Sequence, residues 1–197
     1  MSRRFSSTLC ALILLGAAGC SRAVVVHPPR DHAAREARMV EALRTIGGRG
    51  DWLVIRGYHA TDDLVATLTN APFSHAAVLD PERGQVIEAE GVGIHTTPLA
   101  DFVRKAQRLM LVHPMWAVDA ERQAVAVTKA RSLVGGKYDY SGLMGLNNPE
   151  RYYCSELAVA VYRPYVKASD HVPPVIPPNE LHYWGTVIWD SGPVSGD

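Results

Sequence analysis

The segment Tyr153-Cys154-Ser155-Glu156-Leu157 puts a thiol at the start of a stretch with helical apolar spacing. Unpaired N–H groups and the helix dipole favour negative charge at such a position, so a cysteine there carries more thiolate than a free one. A thiolate attacks acyl carbon, and the same N–H groups can bind the oxyanion that forms. The structural alternative is an inert packed cysteine, since cysteine behaves as a small hydrophobe. A thiolate nucleophile also requires a base that pairs with it and later protonates the leaving group. His75 is the candidate, in the apolar run Ser74-His75-Ala76-Ala77-Val78-Leu79, where an ionisable side chain needs a partner. A core histidine satisfied by a hydrogen bond is the alternative reading. The base in turn requires an orienting acceptor. Val86-Ile87-Glu88-Ala89-Glu90 supplies two carboxylates beyond a turn-forming Asp80-Pro81-Glu82-Arg83-Gly84. Pairing Leu79 with Gln85 sets Ser74 opposite Glu90 and His75 opposite Ala89. A slip of one residue changes which carboxylate meets the ring, so both Glu88 and Glu90 stay open on the residues alone.

Other polar residues carry less. Asp51 follows a glycine and suits a turn. Asp139, between Tyr138 and Tyr140, lines a cleft or ties down a loop. Glu156 falls in the first turn of the Cys154 helix, where a carboxylate suits the dipole whatever the function. His95, His113 and His182 lack metal-ligand spacing, so neither a metal nor a cofactor is expected.

The elements that must position these residues alternate along the chain. Asp31 to Ile46 reads as a helix with Ala34, Met39, Leu43 and Ile46 on one face, stopped by Gly47-Gly48. Trp52 to Arg56, Ser74 to Leu79, Gln85 to Ala89, Arg108 to His113 and Thr186 to Trp189 read as strands. Asp62 to Leu68, with Thr61 as N-cap, reads as a short helix. Pro98 to Ala106 and Val118 to Val134 read as helices, the latter with Ala120, Ala124, Val127 and Val134 inward. Cys154 to Tyr165 is a further helix with Leu157, Ala158, Val161, Tyr162 and Tyr165 on one side. Strands in the middle with flanking helices give an α+β class. Ser191 to Asp197 reads as a loose tail.

Composition narrows the field further. The 197 residues carry 20 Lys+Arg and 20 Asp+Glu, so there is no basic excess of the kind that nucleic-acid binding uses. The three cysteines, Cys10, Cys20 and Cys154, form neither a disulfide scaffold nor a C-x-x-C metal pair. Arg3 and Arg4 precede a short apolar run that ends Leu15-Gly16-Ala17-Ala18-Gly19-Cys20. This is a secretory signal pattern, and it resembles a bacterial lipobox in which the cysteine is lipidated and becomes the first residue of the mature chain. It departs from the usual pattern at Ala17, where Leu is common. An ordinary signal peptide is the alternative. Removal of Arg3 and Arg4 with the signal leaves the mature charge at −2. Acyl chains on Cys20 would hold the protein at a membrane without a basic patch. Ser21 points to the outer membrane.

Five ordered segments resemble one family. They are Gly50-Asp51-Trp52-Leu53-Val54, Phe73-Ser74-His75-Ala76-Ala77, Val86-Ile87-Glu88-Ala89 with Gly91-Val92-Gly93, Lys137-Tyr138-Asp139-Tyr140, and Tyr153-Cys154-Ser155-Glu156-Leu157. Together they look like the YiiX/YaeF-like permuted papain-fold cysteine amidases, relatives of NlpC-type cell-wall hydrolases and of lecithin–retinol acyltransferase. The histidine precedes the cysteine, as the permuted branch requires. The resemblance implies a small antiparallel sheet or barrel packed on a helix that begins at the cysteine. It implies Cys154 as nucleophile, His75 as base and Glu88 as the polar third member. It implies one oxyanion donor at the Cys154 N–H. Tyr58 and His59, just after the first strand, are weak candidates for the second donor, with surface loop residues the equal alternative, and Tyr58 and Asp139 are candidate cleft residues. The Pro173 to Pro178 stretch is expected to pack on the cysteine helix or wall the cleft. Cys154 should lie within a few ångströms of His75 at a groove floor, its sulfur partly open to solvent.

The expected organisation is a signal peptide over 1–19, a lipidated tether and helix over 20–48, the permuted papain-like domain over 49–190 and a tail over 191–197. The expected function is a hydrolase of the bacterial cell envelope, lipid-anchored at Cys20 and facing the periplasm, acting through an acyl-enzyme on an amide. Peptidoglycan peptides are a natural substrate by analogy. An acyltransferase or lipid/thioester hydrolase is the second reading, and a non-catalytic binding lipoprotein the third.

Overall fold

Alternating runs of β-branched, aliphatic and aromatic residues form most of the strands in the computed structural model, which describes residues 32–58, 72–146 and 148–193. The strands are β1 (Trp52–Gly57), β2 (His75–Asp80), β3 (Gln85–Glu90), β4 (Gly93–Pro98), β5 (Ala106–Pro114), β6 (Lys137–Tyr138), β7 (Arg151–Tyr152) and β8 (Gly185–Asp190). Six of them make one antiparallel sheet in the order β4-β3-β2-β1-β5-β8, while β6 and β7 pair in parallel beside it. The described helices are α1 (His32–Ile46), α2 (Leu99–Arg104), α3 (Ala120–Leu133) and α4 (Cys154–Ala160).

The period-2 alternation of the strands sends side chains to two separate cores. Trp52, Val54, Ala76, Val78, Ile87, Ala89 and Val112 pack with α3 and α4 on one face. Leu53, Ile55, Ala77, Leu79, Val86, Leu109 and Leu111 pack with α1 and α2 on the other. The sheet is thus covered on both sides, which is why its central strands carry almost no polar residues. His75 and Glu88 are exceptions, and both are buried. Among the described residues no helix is long and apolar enough to cross a membrane.

Several boundaries differ from the sequence reading. Asp80 pairs with Gln85, so the hairpin loop is Pro81 to Gly84, with a 3₁₀ turn and Gly84 at φ +59°. Ala77 therefore stands opposite Glu88, one residue away from the pairing expected. β4 replaces what reads as a connection, because Gly93-Ile94-His95-Thr96-Thr97-Pro98 has no apolar alternation to announce it. Pro98 sits before α2 rather than inside it.

In α3 the inward residues are Ala126, Val127 and Ala130, about a quarter turn from the face expected. α4 stops at Ala160, and a 3₁₀ turn over Arg163–Tyr165 follows. Pro164 explains the stop, since it has no N–H and disfavours α geometry at Arg163. Arg35 is buried in α1 and donates to the Gln107 and Gly192 carbonyls, so the charged side of that helix is not wholly solvated. The Ser191 N–H also reaches the Leu109 carbonyl at 2.9 Å, so the start of the tail is tied down. The expected Asp62–Leu68 helix with Thr61, the residue His59, and the N-terminal segment with Cys10 and Cys20 lie outside the described residues.

Candidate active site

The start of α4 is fixed by the residues around Cys154. The Tyr153 N–H donates to Glu156 Oε2 at 3.3 Å, which closes the first turn. The Ser155 hydroxyl donates to the Ile176 carbonyl at 2.5 Å, and the Ile176 N–H donates to the Tyr153 hydroxyl at 2.8 Å. The proline-rich segment is thereby clamped onto the beginning of the helix. That clamp sets the height of the thiol against the end of β2, where His75 begins the strand.

His75 and Glu88 lie on the same face of the sheet as Ala77 and Val86. Because Glu88 is opposite Ala77, it meets His75 diagonally, and His75 Nε2 is 2.6 Å from Glu88 Oε2. The one-residue difference in register therefore decides the question between the two carboxylates. Glu90 Oε1 is 4.0 Å from the same nitrogen, outside hydrogen-bond range. The ring also hydrogen-bonds Cys154, and with Nε2 taken by Glu88 the other nitrogen is left to face the thiol.

The electrostatics follow from this order. Burial pulls the His75 imidazole down, but the Cys154 and Glu88 anions on its two sides carry its pKa up to about 10. Burial pushes Glu88 up, but His75 and Lys105 hold it at about 2. Burial likewise raises the Cys154 thiol, and the His75 hydrogen bond and charge, with the Ala76 and Ser155 N–H groups, bring it below its ordinary value. The stable form is thus a thiolate–imidazolium pair backed by a carboxylate. Cys154 is 6 % exposed, so the sulfur is more enclosed than expected.

Glu88 has further partners that the sequence reading missed. Thr97 Oγ1 donates to Oε1 at 2.5 Å, and Lys105 Nζ donates to both oxygens at 2.9 and 2.8 Å and to Glu90 Oε1 at 2.6 Å. A buried carboxylate in an apolar strand demands such donors, but nothing local in the sequence says which residues supply them. Tyr138 was also passed over, although it neighbours Cys154, and burial followed by that thiolate's charge raises its phenol.

The other candidates sit elsewhere in the fold. Asp139 turns inward and accepts from the Ser141 N–H and hydroxyl and the Asn148 N–H, which ties down its loop. Tyr58 packs edge-on to His32 of α1 at 5.1 Å and donates its N–H to the Lys105 carbonyl. Asp51 is buried and accepts from the Gly48 N–H and from His113, each at 2.7 Å, so it holds a turn. A cavity of about 680 Å³ lies beside α4, lined by Glu156, Val159, Ala160 and Arg163 with Pro173 and Pro174, and touches neither Cys154 nor His75.

A family described as permuted papain-like amidase enzymes, YaeF/YiiX, C92 family, matches residues 49–174. The chain belongs to this family. Its fold is accordingly the permuted papain-like α+β fold of that family. Among solved structures it resembles that of the metalloprotein yiiX from Escherichia coli O157:H7, with a TM-score of 0.51 and 21 % identity. The similarity covers 60 % of this chain and 66 % of that one, and bears on the fold. No curated protein matches the chain.

A metal would need a ligand set here, and His75, Glu88 and Glu90 have ligand atoms within 4.8 Å of one another. The Lys105 ammonium already lies 2.6 to 2.9 Å from oxygens of both carboxylates. The set holds its own cation and does not fit an open metal site.

Proposed function

We propose that this YaeF/YiiX-family protein is a lipid-anchored enzyme of the bacterial cell envelope that cleaves amide bonds through an acyl-enzyme on Cys154. The observation that carries this reading is the buried His75, held between the Glu88 carboxylate and the Cys154 thiol. In the first half-reaction the thiolate adds to the amide carbonyl, and the C–N bond breaks as the imidazolium gives its proton to the departing amine. A thioester remains, with neutral His75. In the second half-reaction the imidazole takes a proton from water as the oxygen adds to the thioester carbon. Collapse expels the thiolate, releases a carboxylic acid and restores the ion pair. Glu88 keeps the imidazole oriented throughout and stabilises its charged form.

The Arg3-Arg4 start and the small-residue run ending at Cys20 support the envelope location and the lipid anchor. Peptides of the cell wall are the natural amides there. A second reading, transfer or hydrolysis of a lipid acyl group, draws support from the exposed apolar side chains of Val92, Tyr140, Met144 and Leu146. Tyr140 and the Val92 turn are joined, since the Tyr140 hydroxyl donates to the Gly91 carbonyl at 3.0 Å. Incubation with muropeptides and with lipid esters, followed by intact mass, distinguishes these readings. Trimmed muropeptides and a Cys154 acyl adduct are expected with the wild type, and neither with Cys154→Ala. Turnover of lipid esters alone favours the second reading, and turnover retained in Cys154→Ala refutes both. Globomycin-sensitive processing at Cys20 tests the anchor.

A further inference from the structure

Lys105 bridges the two carboxylates, Glu88 and Glu90, that follow one another on β3. The groups facing Glu88 are His75 from β2, Thr97 from β4 and Lys105 just after α2, with Glu90 and His95 one step further out. Glu88 is fully buried, and each of its oxygens receives two hydrogen bonds. Among the described residues, Lys105 is the only donor that holds both oxygens. It therefore fixes the rotation of the carboxylate plane and so the position of the oxygen offered to His75.

Lys105 is itself held in place. Its ammonium lies 5.2 Å from the centre of the Phe102 ring and 2.6 Å from Glu90 Oε1. Its backbone N–H closes the end of α2 on the Phe102 carbonyl at 3.3 Å, and its own carbonyl accepts from Tyr58. Thiolate, imidazolium, carboxylate, ammonium and carboxylate thus follow one another with alternating sign. In a medium of low dielectric such alternation strengthens each link, and removing one member unbalances its neighbours.

We propose that Lys105 is a positioning residue of the catalytic apparatus, holding Glu88 ionised and oriented toward His75, with Glu90 anchoring Lys105 in turn. The proposal rests on Cys154 being the nucleophile. An ion pair that merely stabilised the fold would lower the melting temperature on removal and leave the acid–base behaviour of the thiol unchanged. A positioning cation does more. Its loss withdraws a positive charge from the group, so Glu88 and the thiol both hold their protons to higher pH.

The test is the rate of Cys154 alkylation by iodoacetamide between pH 4 and 9, read by intact mass. Lys105→Met is expected to move the acid limb up by about half to one pH unit, less than the one to three units of a directly adjacent charge, because Glu88 and His75 stand between Lys105 and the thiol. Lys105→Arg restores most of the wild-type profile. A wild-type thiol that reacts only with a midpoint near the ordinary value of about 8.5 refutes the nucleophile, and Lys105 with it. A fast wild-type thiolate with an unmoved limb in Lys105→Met overturns the role of Lys105 alone. Should Lys105→Met fail to fold, Lys105→Gln decides, and a profile that coincides with wild type overturns the proposal.

Discussion

Replacing Glu88 by Gln keeps the shape of the side chain and removes the charge beside His75. The wild-type imidazole is carried to about 10 by two anions, the thiolate on one side and Glu88 at 2.6 Å on the other. A unit charge at ~4 Å between charge centres and an effective dielectric of ~20 is worth about 4 kcal/mol. At 1.36 kcal/mol per pH unit that is about three units, which agrees with the one to three units seen for an adjacent opposite charge. The thiolate remains, so the His75 midpoint in Glu88→Gln is expected to fall by about two to three units. The new amide also sets an N–H toward Lys105 or His75, two donors facing each other, at a cost of about 1–3 kcal/mol. The assay is NMR titration of ¹³C-labelled histidine, with the His75 signal identified by its loss in His75→Ala. At pH 9 the variant then has no imidazolium to protonate a departing amine, while at pH 6 it still has one. A folded Glu88→Gln protein whose His75 midpoint stays near 10 refutes the reasoning.

Stability against acid follows from the same carboxylate. Its folded pKa of about 2 lies below the ordinary 4.5, so its contribution is complete above 4.5 and disappears as pH falls toward 2. Counted once for the whole ion-pair group, that is about 3 kcal/mol, visible as a urea midpoint that drops between about pH 5 and 2 and drops less in Glu88→Gln. Gly93→Ala meets a left-handed backbone at φ +112° and places a Cβ 2.5 Å from the Gly136 carbonyl oxygen. A loss of about 2–3 kcal/mol is expected in chemical denaturation, and an unchanged midpoint shows that the turn is not constrained as described. Asp139→Ala removes three acceptor contacts that fold residues 139–148 back on themselves. Faster tryptic cleavage at Arg151 is expected with little change in the cooperative unfolding transition, and unaltered cleavage counts against the role of Asp139.

How much of this could be read from the sequence depends on how local the information is. The strands at Trp52 and Gln85 announce themselves as short apolar runs that follow turn residues, and the order of His75 before Cys154 fits the permuted branch that the chain resembles. The choice between Glu88 and Glu90 could not be read, because the two differ by a hairpin register that turns on whether Asp80 belongs to the loop or to the strand. β4 escaped because two threonines, a histidine and two terminal breakers hide its pairing with β3. Lys105 escaped for a different reason. A lysine after a short amphipathic segment looks solvated, and only the three-dimensional demand of a buried carboxylate 17 residues earlier turns it inward. The length of α4 was overread because apolar spacing continued through Tyr165, while Pro164 broke the backbone beneath it.

The residues that handle protons, His75, Glu88, Thr97 and Lys105, fall within one short stretch of chain, whereas Cys154 follows long after. A growing polypeptide therefore delivers them in sequence. The strands that carry the base can leave the ribosome and pair before α4 has been synthesised. During that interval Cys154 does not yet exist, and after it emerges the sulfur remains an ordinary thiol until α4 docks against β2. Chemical aggressiveness is thus conferred by a long-range contact rather than by any local feature of the sequence. The nascent protein therefore carries no activated thiol until that docking has taken place.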